Sequence, residues 1–246
     1  MSRETFSDTA IERLRSGRVL ALTGAGVSAE SGLATFRGAA GLWEGRDPTD
    51  LATPEAFERD PRTVWRFYAQ RREAAADARP NRGHRALATL EAALGDRFLL
   101  ATQNVDGLHE RAGNRRIVRL HGSIWQLRCT RCGDEYEDLE LTTSHRCPCG
   151  GRRRPGVVWF GEALPEDAFE RAARAAAGAD IVIVAGTSSA VYPAAGLPEI
   201  ARRAGAWTLE INPEQTALSD RVDERIVARS GSALPALLDA AALGAA

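Results

Sequence analysis

Residues 23–37 read TGAGVSAESGLATFR and directly follow the apolar run Val19–Leu22. A short apolar run closed by Gly24-x-Gly26-x-x-Ala29 predicts a buried strand turning tightly into a helix. That is the local pattern of a dinucleotide-binding unit, whose glycines let backbone N–H groups approach a pyrophosphate. Taken alone, the pattern is also met by a Gly turn that serves only close strand-to-helix packing. Two features set this stretch apart. It continues through a second glycine to Phe36-Arg37, where an ordinary nucleotide fold would already be helical. In addition, a dehydrogenase would end its second strand on an acidic residue about 20 positions on, yet that region reads GLWEGRDPTD and is no strand.

On the N-terminal side, Ile11 and Leu14 at i and i+3 predict an amphipathic helix over 8–16, stopped by Ser16-Gly17. On the other side, strands are expected at Val19–Thr23, Phe98–Thr102, Ile117–Leu120, Val157–Phe160, Ile181–Ala185 and Trp207–Ile211. Ala-rich helical stretches such as 82–94 and 166–178 separate them. This alternation predicts an α/β fold, a Rossmann-like doubly wound parallel sheet. Two stretches interrupt it, a helical insert at 38–80 and an insert at 126–156 that holds every Cys; together they are expected to form a small domain. The large domain then comprises 1–37, 81–125 and 157–246.

The chain has 246 residues, 44% of them hydrophobic and 26% charged, with a formal net charge of -1. That balance offers no general attraction to nucleic acid or to an anionic membrane, so neither is expected as a partner. No apolar run reaches the ~20 residues a bilayer requires, and a cytoplasmic protein is expected. All 32 basic residues are Arg.

Cys129-x2-Cys132 and Cys147-x-Cys149 bring two close pairs of soft ligands together, the donor set of a tetrahedral Zn²⁺ site. Four protein ligands leave no open coordination position, which makes such a site structural. Two disulfides or four unrelated thiols are the alternatives. Because the second pair is tighter than the usual C-x2-C, His145 is a candidate replacement for one of its thiolates. A second polar constellation, Gln103-Asn104-Val105-Asp106 after FLLAT and His121-Gly122 after IVRL, falls at predicted strand C-terminal ends, where open α/β sheets bind ligands. Gly186-Thr187-Ser188-Ser189 follows the strand IVIVA in the same way.

The strings GAGVSAESGLATFRG, TQNVDGLHERAG, RLHGSIWQLRC, RPGVVWFGE, GTSSAVYP and INPEQT, with the paired Cys between them, resemble a sirtuin, an NAD-dependent protein-lysine deacylase. The likeness runs in the family's order from about residue 18 to 235. It implies a Rossmann-like NAD-binding domain, a small domain carrying one structural Zn²⁺, and a cleft between them that takes NAD and an acyl-lysine peptide or protein from opposite sides. It implies that Gly24, Ala25, Gly26, Ser28, Ala29, Glu30, Thr35, Phe36, Arg37 and Trp43 belong to the cofactor side. Phe36 is expected at the nicotinamide-ribose pocket and Arg37 beside the phosphates. Gln103, Asn104, Val105 and Asp106 would contact ribose and carboxamide, and Gly186, Thr187, Ser188, Asn212, Pro213, Glu214 and Ser230 the adenosine side.

By the same resemblance His121 is the base, acting with Asn104 and Asp106, and the products are deacylated lysine, nicotinamide and 2′-O-acyl-ADP-ribose. Val158, Trp159, Phe160, Gly161 and Glu162, with Val191 and Tyr192, match the two segments that clamp the peptide as an added strand. Asp60 and Pro61 predict the start of a helix over 60–78, on which Tyr68 and Arg71 share a face. With Ala52 they resemble the subgroup that removes succinyl, malonyl and glutaryl groups. Succinyl- and malonyl-lysine are therefore the expected substrates, with acetyl-lysine also removed. A plain deacetylase and a protein mono-ADP-ribosyltransferase are the alternatives on the same fold.

Overall fold

The computed structural model describes residues 5–35, 50–139 and 146–244. A six-stranded parallel sheet is built from β1 (Val19–Thr23), β2 (Phe98–Thr102), β3 (Ile117–Arg119), β7 (Ile181–Ala185), β8 (Trp207–Ile211) and β9 (Glu224–Ile226), in the order β3-β2-β1-β7-β8-β9. Alternation along β1 sends Val19 and Ala21 to one face and Leu20 and Leu22 to the other, and both faces are covered. The first packs against α1 (Asp8–Ser16), α5 (Arg82–Leu94) and α9 (Ser230–Ala240), through Leu14, Leu87, Leu90, Leu234 and Leu237. The second packs against α7 (Glu166–Ala177) and α8 (Leu197–Arg203), where Ala172, Ala176 and Leu197 are fully buried. Strands buried on both faces read as continuous apolar runs, which is why VLALT and IVIVA carry no polar alternation.

Between β3 and α7 the chain builds a second sheet, antiparallel and three-stranded, ordered β5-β4-β6 from β4 (Gly122–Cys129), β5 (Glu135–Glu137) and β6 (Arg153–Val157). The expected strand Val157–Phe160 is therefore corrected. Strand β6 ends at Val157 and belongs to the small sheet, and 158–160 is irregular. Its N–H groups go to other partners: Val158 donates to the His121 carbonyl, Phe160 to that of Ala52, and Trp159 to the Glu162 carboxylate.

Helices α3 (Pro54–Arg59) and α4 (Pro61–Asp77) lie against this sheet. Asp60 caps α4 by accepting from the N–H groups of Arg62 and Thr63, with Pro61 at the first position. The helical insert shares a core with the small sheet and the segment that follows it, in which Phe57, Val64, Trp65 and Tyr68 meet Ile124, Leu127 and Trp159. A buried ion pair between Arg72 and Asp138, 3.0 Å apart, ties α4 to the chain after β5. Among the described residues no helix is long and apolar enough to cross a membrane.

Candidate active site

The strand order places the topological switch between β1 and β7, so the loops that follow them leave in opposite directions and open a crevice at the sheet's C-terminal edge. There the turn into α2 (Ala25–Ala29) meets the turn after β7 backbone to backbone. Gly26 N–H donates to the Gly186 carbonyl at 2.7 Å. Gly186 has φ +60, and a Cβ on it would lie 2.4 Å from the Val27 nitrogen. Only glycine fits that crossing.

The floor of the crevice rests on two groups of hydrogen-bonded polar side chains. Gln103 Nε2 donates to Thr187 Oγ1 at 3.0 Å, and Asn212 Nδ2 donates to the Thr187 carbonyl at 3.0 Å. Asn104 Nδ2 donates to Ser28 Oγ at 3.2 Å, and Ser28 Oγ donates in turn to Asp106 Oδ2 at 2.8 Å. Asp106 also accepts from Leu108 N–H at 2.9 Å. Burial pushes its carboxyl up, while those two donors pull the other way. His84 Nε2 lies 3.4 Å from Ser28 Oγ, and the His84 ring stands 4.8 Å from that of His109. Burial holds both imidazoles down to about 3, so both are neutral.

His121 sits at the junction of the two sheets, between β3 and β4. Gly122 makes that junction with φ +73, its Cα so near the Gly156 carbonyl that a Cβ would reach 2.1 Å. The imidazole Nδ1 lies 3.2 Å from the Gln103 carbonyl oxygen. A carbonyl only accepts, so Nδ1 carries the proton and Nε2 keeps its lone pair. Burial lowers the His121 pKa from its ordinary value, and the Gln103 contact opposes that shift.

Above this floor lies a cleft of about 810 Å³. Its lining includes Gly24, Ala25, Gly26, Ala29, Glu30, Thr35, Gln103, Asn104, Val105, Gly186, Thr187, Ser188, Asn212, Pro213, Glu214 and Ser230. The same cleft is also lined by His121, Ala52, Tyr68, Arg71, Val158, Trp159, Phe160, Gly161, Glu162, Val191 and Tyr192. Phe160 and Tyr192, both in this lining, are exposed by 44% and 71%. Tyr68 is buried, and its hydroxyl accepts from Trp159 Nε1 at 2.8 Å.

The family model described as the Sir2 family matches residues 24–193. The chain belongs to the Sir2 family. It is 52% identical over 220 residues to the NAD-dependent protein deacylase 2 of Pyrobaculum aerophilum, covering 88% of this chain and 88% of that protein. Identity to the NAD-dependent protein deacylase of Aquifex aeolicus is 47% over 225 residues, covering 90% and 94%. The solved structure of a Sir2 homolog–NAD complex matches with a TM-score of 0.91 at 44% identity, covering 99% of this chain and 98% of that one.

Two residues expected on the cofactor side are joined to the cleft lining by hydrogen bonds and are not themselves part of it. Ser28 and Asp106 do not line the cleft; they lie behind its wall and reach it through Asn104. Glu30 lines the cleft, but its carboxylate accepts from Gly231 N–H at 2.7 Å, at the start of α9. Phe36, Arg37, Trp43 and His145 lie outside the described residues. Phe67, Val157, Leu164, Pro193, Gln215, Thr216 and Arg229 line the cleft without having been singled out. For Val157, Pro193, Gln215 and Thr216 the signal was present, since they fall inside the quoted RPGVVWFGE, GTSSAVYP and INPEQT.

In the small domain the Sγ atoms of Cys129, Cys132, Cys147 and Cys149 all lie within 4.8 Å of one another. The Cys129–Cys149 and Cys132–Cys147 distances are 3.5 and 3.7 Å. Zinc–thiolate bonds of about 2.3 Å in a tetrahedron demand sulfur atoms about 3.8 Å apart. The spacing fits one Zn²⁺ and is far too long for disulfides. Arg131 N–H points at Cys129 Sγ and Gly151 N–H at Cys149 Sγ, both at 3.4 Å, which favours thiolates. Thus the C-x-C spacing lets all four sulfurs gather at one point.

Proposed function

We propose that this chain is an NAD-dependent protein-lysine deacylase that removes succinyl and malonyl groups as well as acetyl. The observation that supports the reading is a single cleft lined both by the turns at Gly24–Gly26 and Gly186–Ser188 and by His121, Tyr68 and Arg71. Bound NAD would supply an electrophilic ribose carbon and nicotinamide as leaving group. Gln103 and Asn104 would hold ribose and carboxamide, with Asp106 and Ser28 fixing the Asn104 amide from behind. His121 would take a ribose hydroxyl proton at Nε2, the nitrogen left basic by the Gln103 contact.

The acyl-lysine segment would enter past Phe160 and Tyr192. In the Val158–Glu162 stretch the N–H groups of Val158, Trp159, Phe160 and Glu162 are already engaged. A guest strand would pair with the remaining backbone groups of this stretch, so side chains round the lysine would be read loosely. Near the chain's turn, a guanidinium and a phenol one helical turn apart on α4 would grip a carboxylate at the end of the acyl group. Ala52 keeps that pocket open. The test compares wild type with Tyr68→Phe/Arg71→Met on matched succinyl- and acetyl-lysine peptides. The double variant should lose desuccinylation at least tenfold more than deacetylation; an equal change on both peptides overturns the acidic-acyl reading.

A further inference from the structure

We propose that Trp159 is a positioning residue for acyl selectivity, because its indole N–H fixes the direction in which the Tyr68 hydroxyl donates. The inference rests on the acidic-acyl reading above. An indole N–H can only donate, whereas a phenol has one proton to give and lone pairs to receive. With Trp159 Nε1 2.8 Å from the Tyr68 oxygen, the lone pair is spent on the indole. The hydroxyl proton must therefore point elsewhere. Among the described residues the hydroxyl donates no hydrogen bond, and Tyr68 and Arg71 both line the cleft. An acyl carboxylate meets a preset O–H donor and a guanidinium together; an acetyl group can use neither.

The indole is itself locked in place. The Arg154 guanidinium stacks over it with Cζ 3.3 Å from the ring centroid. Glu162 holds Arg154 through both oxygens at 2.5 and 2.9 Å, and the same carboxylate accepts the Trp159 backbone N–H at 2.8 Å. Phe57 closes the other approach, its ring centroid 5.4 Å away. Trp159 is only 3% exposed, so the donor cannot swing away from Tyr68. Burial keeps the Tyr68 phenol protonated by raising its pKa.

The experiment uses the full zinc-loaded enzyme as wild type, Trp159→Phe, Tyr68→Phe and the double variant, with matched succinyl- and acetyl-lysine peptides. A second form carries 3-benzothienylalanine at position 159, which keeps the ring's shape and replaces N–H by sulfur. Removing the donor is expected to lower the succinyl-to-acetyl ratio of kcat/KM about five- to tenfold, mainly through the succinyl-peptide KM. In the Tyr68→Phe background the same change should leave the ratio where it is. An unchanged ratio in the benzothienyl form, or an equal drop with and without the Tyr68 hydroxyl, overturns the inference. If Tyr68→Phe itself leaves the ratio unchanged, the acidic-acyl reading falls and this inference with it.

Discussion

The His121 imidazole and the Gln103 carbonyl, 3.2 Å apart, join the end of β2 to the junction between the two sheets. This contact assigns the proton to Nδ1 and leaves Nε2 as the basic atom facing the cleft. Burial keeps that base neutral at ordinary pH. Replacement by Ala is expected to cut kcat about 10²–10⁴-fold while NAD still binds. The acid limb of the wild-type pH–rate profile should have its midpoint below the usual histidine value of about 6.5. A limb above that value, or a loss smaller than tenfold, would mean that another group takes the proton.

The neutral pair behind the cleft makes the fold acid-sensitive. His84 and His109 are held down to about 3 in the folded chain, in both cases first by burial. Unfolded, each titrates near 6.5, so between these limits the unfolded state binds more protons. Stability is complete above about pH 6.5 and is lost as pH falls, at up to about 1.4 kcal/mol per pH unit for each histidine. The thermal midpoint should drop between pH 7 and pH 5, and His109→Gln should flatten that slope. Equal slopes in the two proteins would place the acid sensitivity in other groups.

Zinc is expected at one ion per chain, measurable by atomic emission on the purified protein. Removing it with a strong chelator, or replacing Cys147 by Ser, should unravel the ribbon joined to α4. That joint includes the Trp65 indole bonded to the Arg153 carbonyl at 3.1 Å and the Arg72–Asp138 pair. Since α4 carries Tyr68 and Arg71, deacylation and thermal stability should fall together. A metal-free protein that keeps both would show that the four thiols serve some other purpose.

The large domain was legible because its signals are local. Val19–Thr23, Phe98–Thr102 and Ile181–Ala185 are short apolar runs bounded by turns, and each forms the expected strand. The start of α4 was equally plain in Asp60-Pro61. Val158–Phe160 misled because VVWF is as apolar as a strand, although its N–H groups are consumed by His121, Glu162 and Ala52. Strand β9, Glu224–Ile226, is short and polar at the sheet edge and left no pattern to find. At the site, Asp106 and His121 were visible as polar residues after strands. No spacing reveals that Asp106 acts from behind Asn104, or that Trp159 meets Tyr68 across 91 positions. Those relations belong to packing between elements distant in sequence.

The most direct test follows acetyl-, succinyl- and malonyl-lysine peptides by mass spectrometry, with and without NAD, monitoring free peptide, nicotinamide and acyl-ADP-ribose in one sample. Strictly NAD-dependent loss of all three acyl groups is expected, with nicotinamide and acyl-ADP-ribose formed in equal amounts to the freed lysine and the acidic groups removed faster than acetyl. Nicotinamide release without deacylation, with ADP-ribose found on protein instead, would contradict the account.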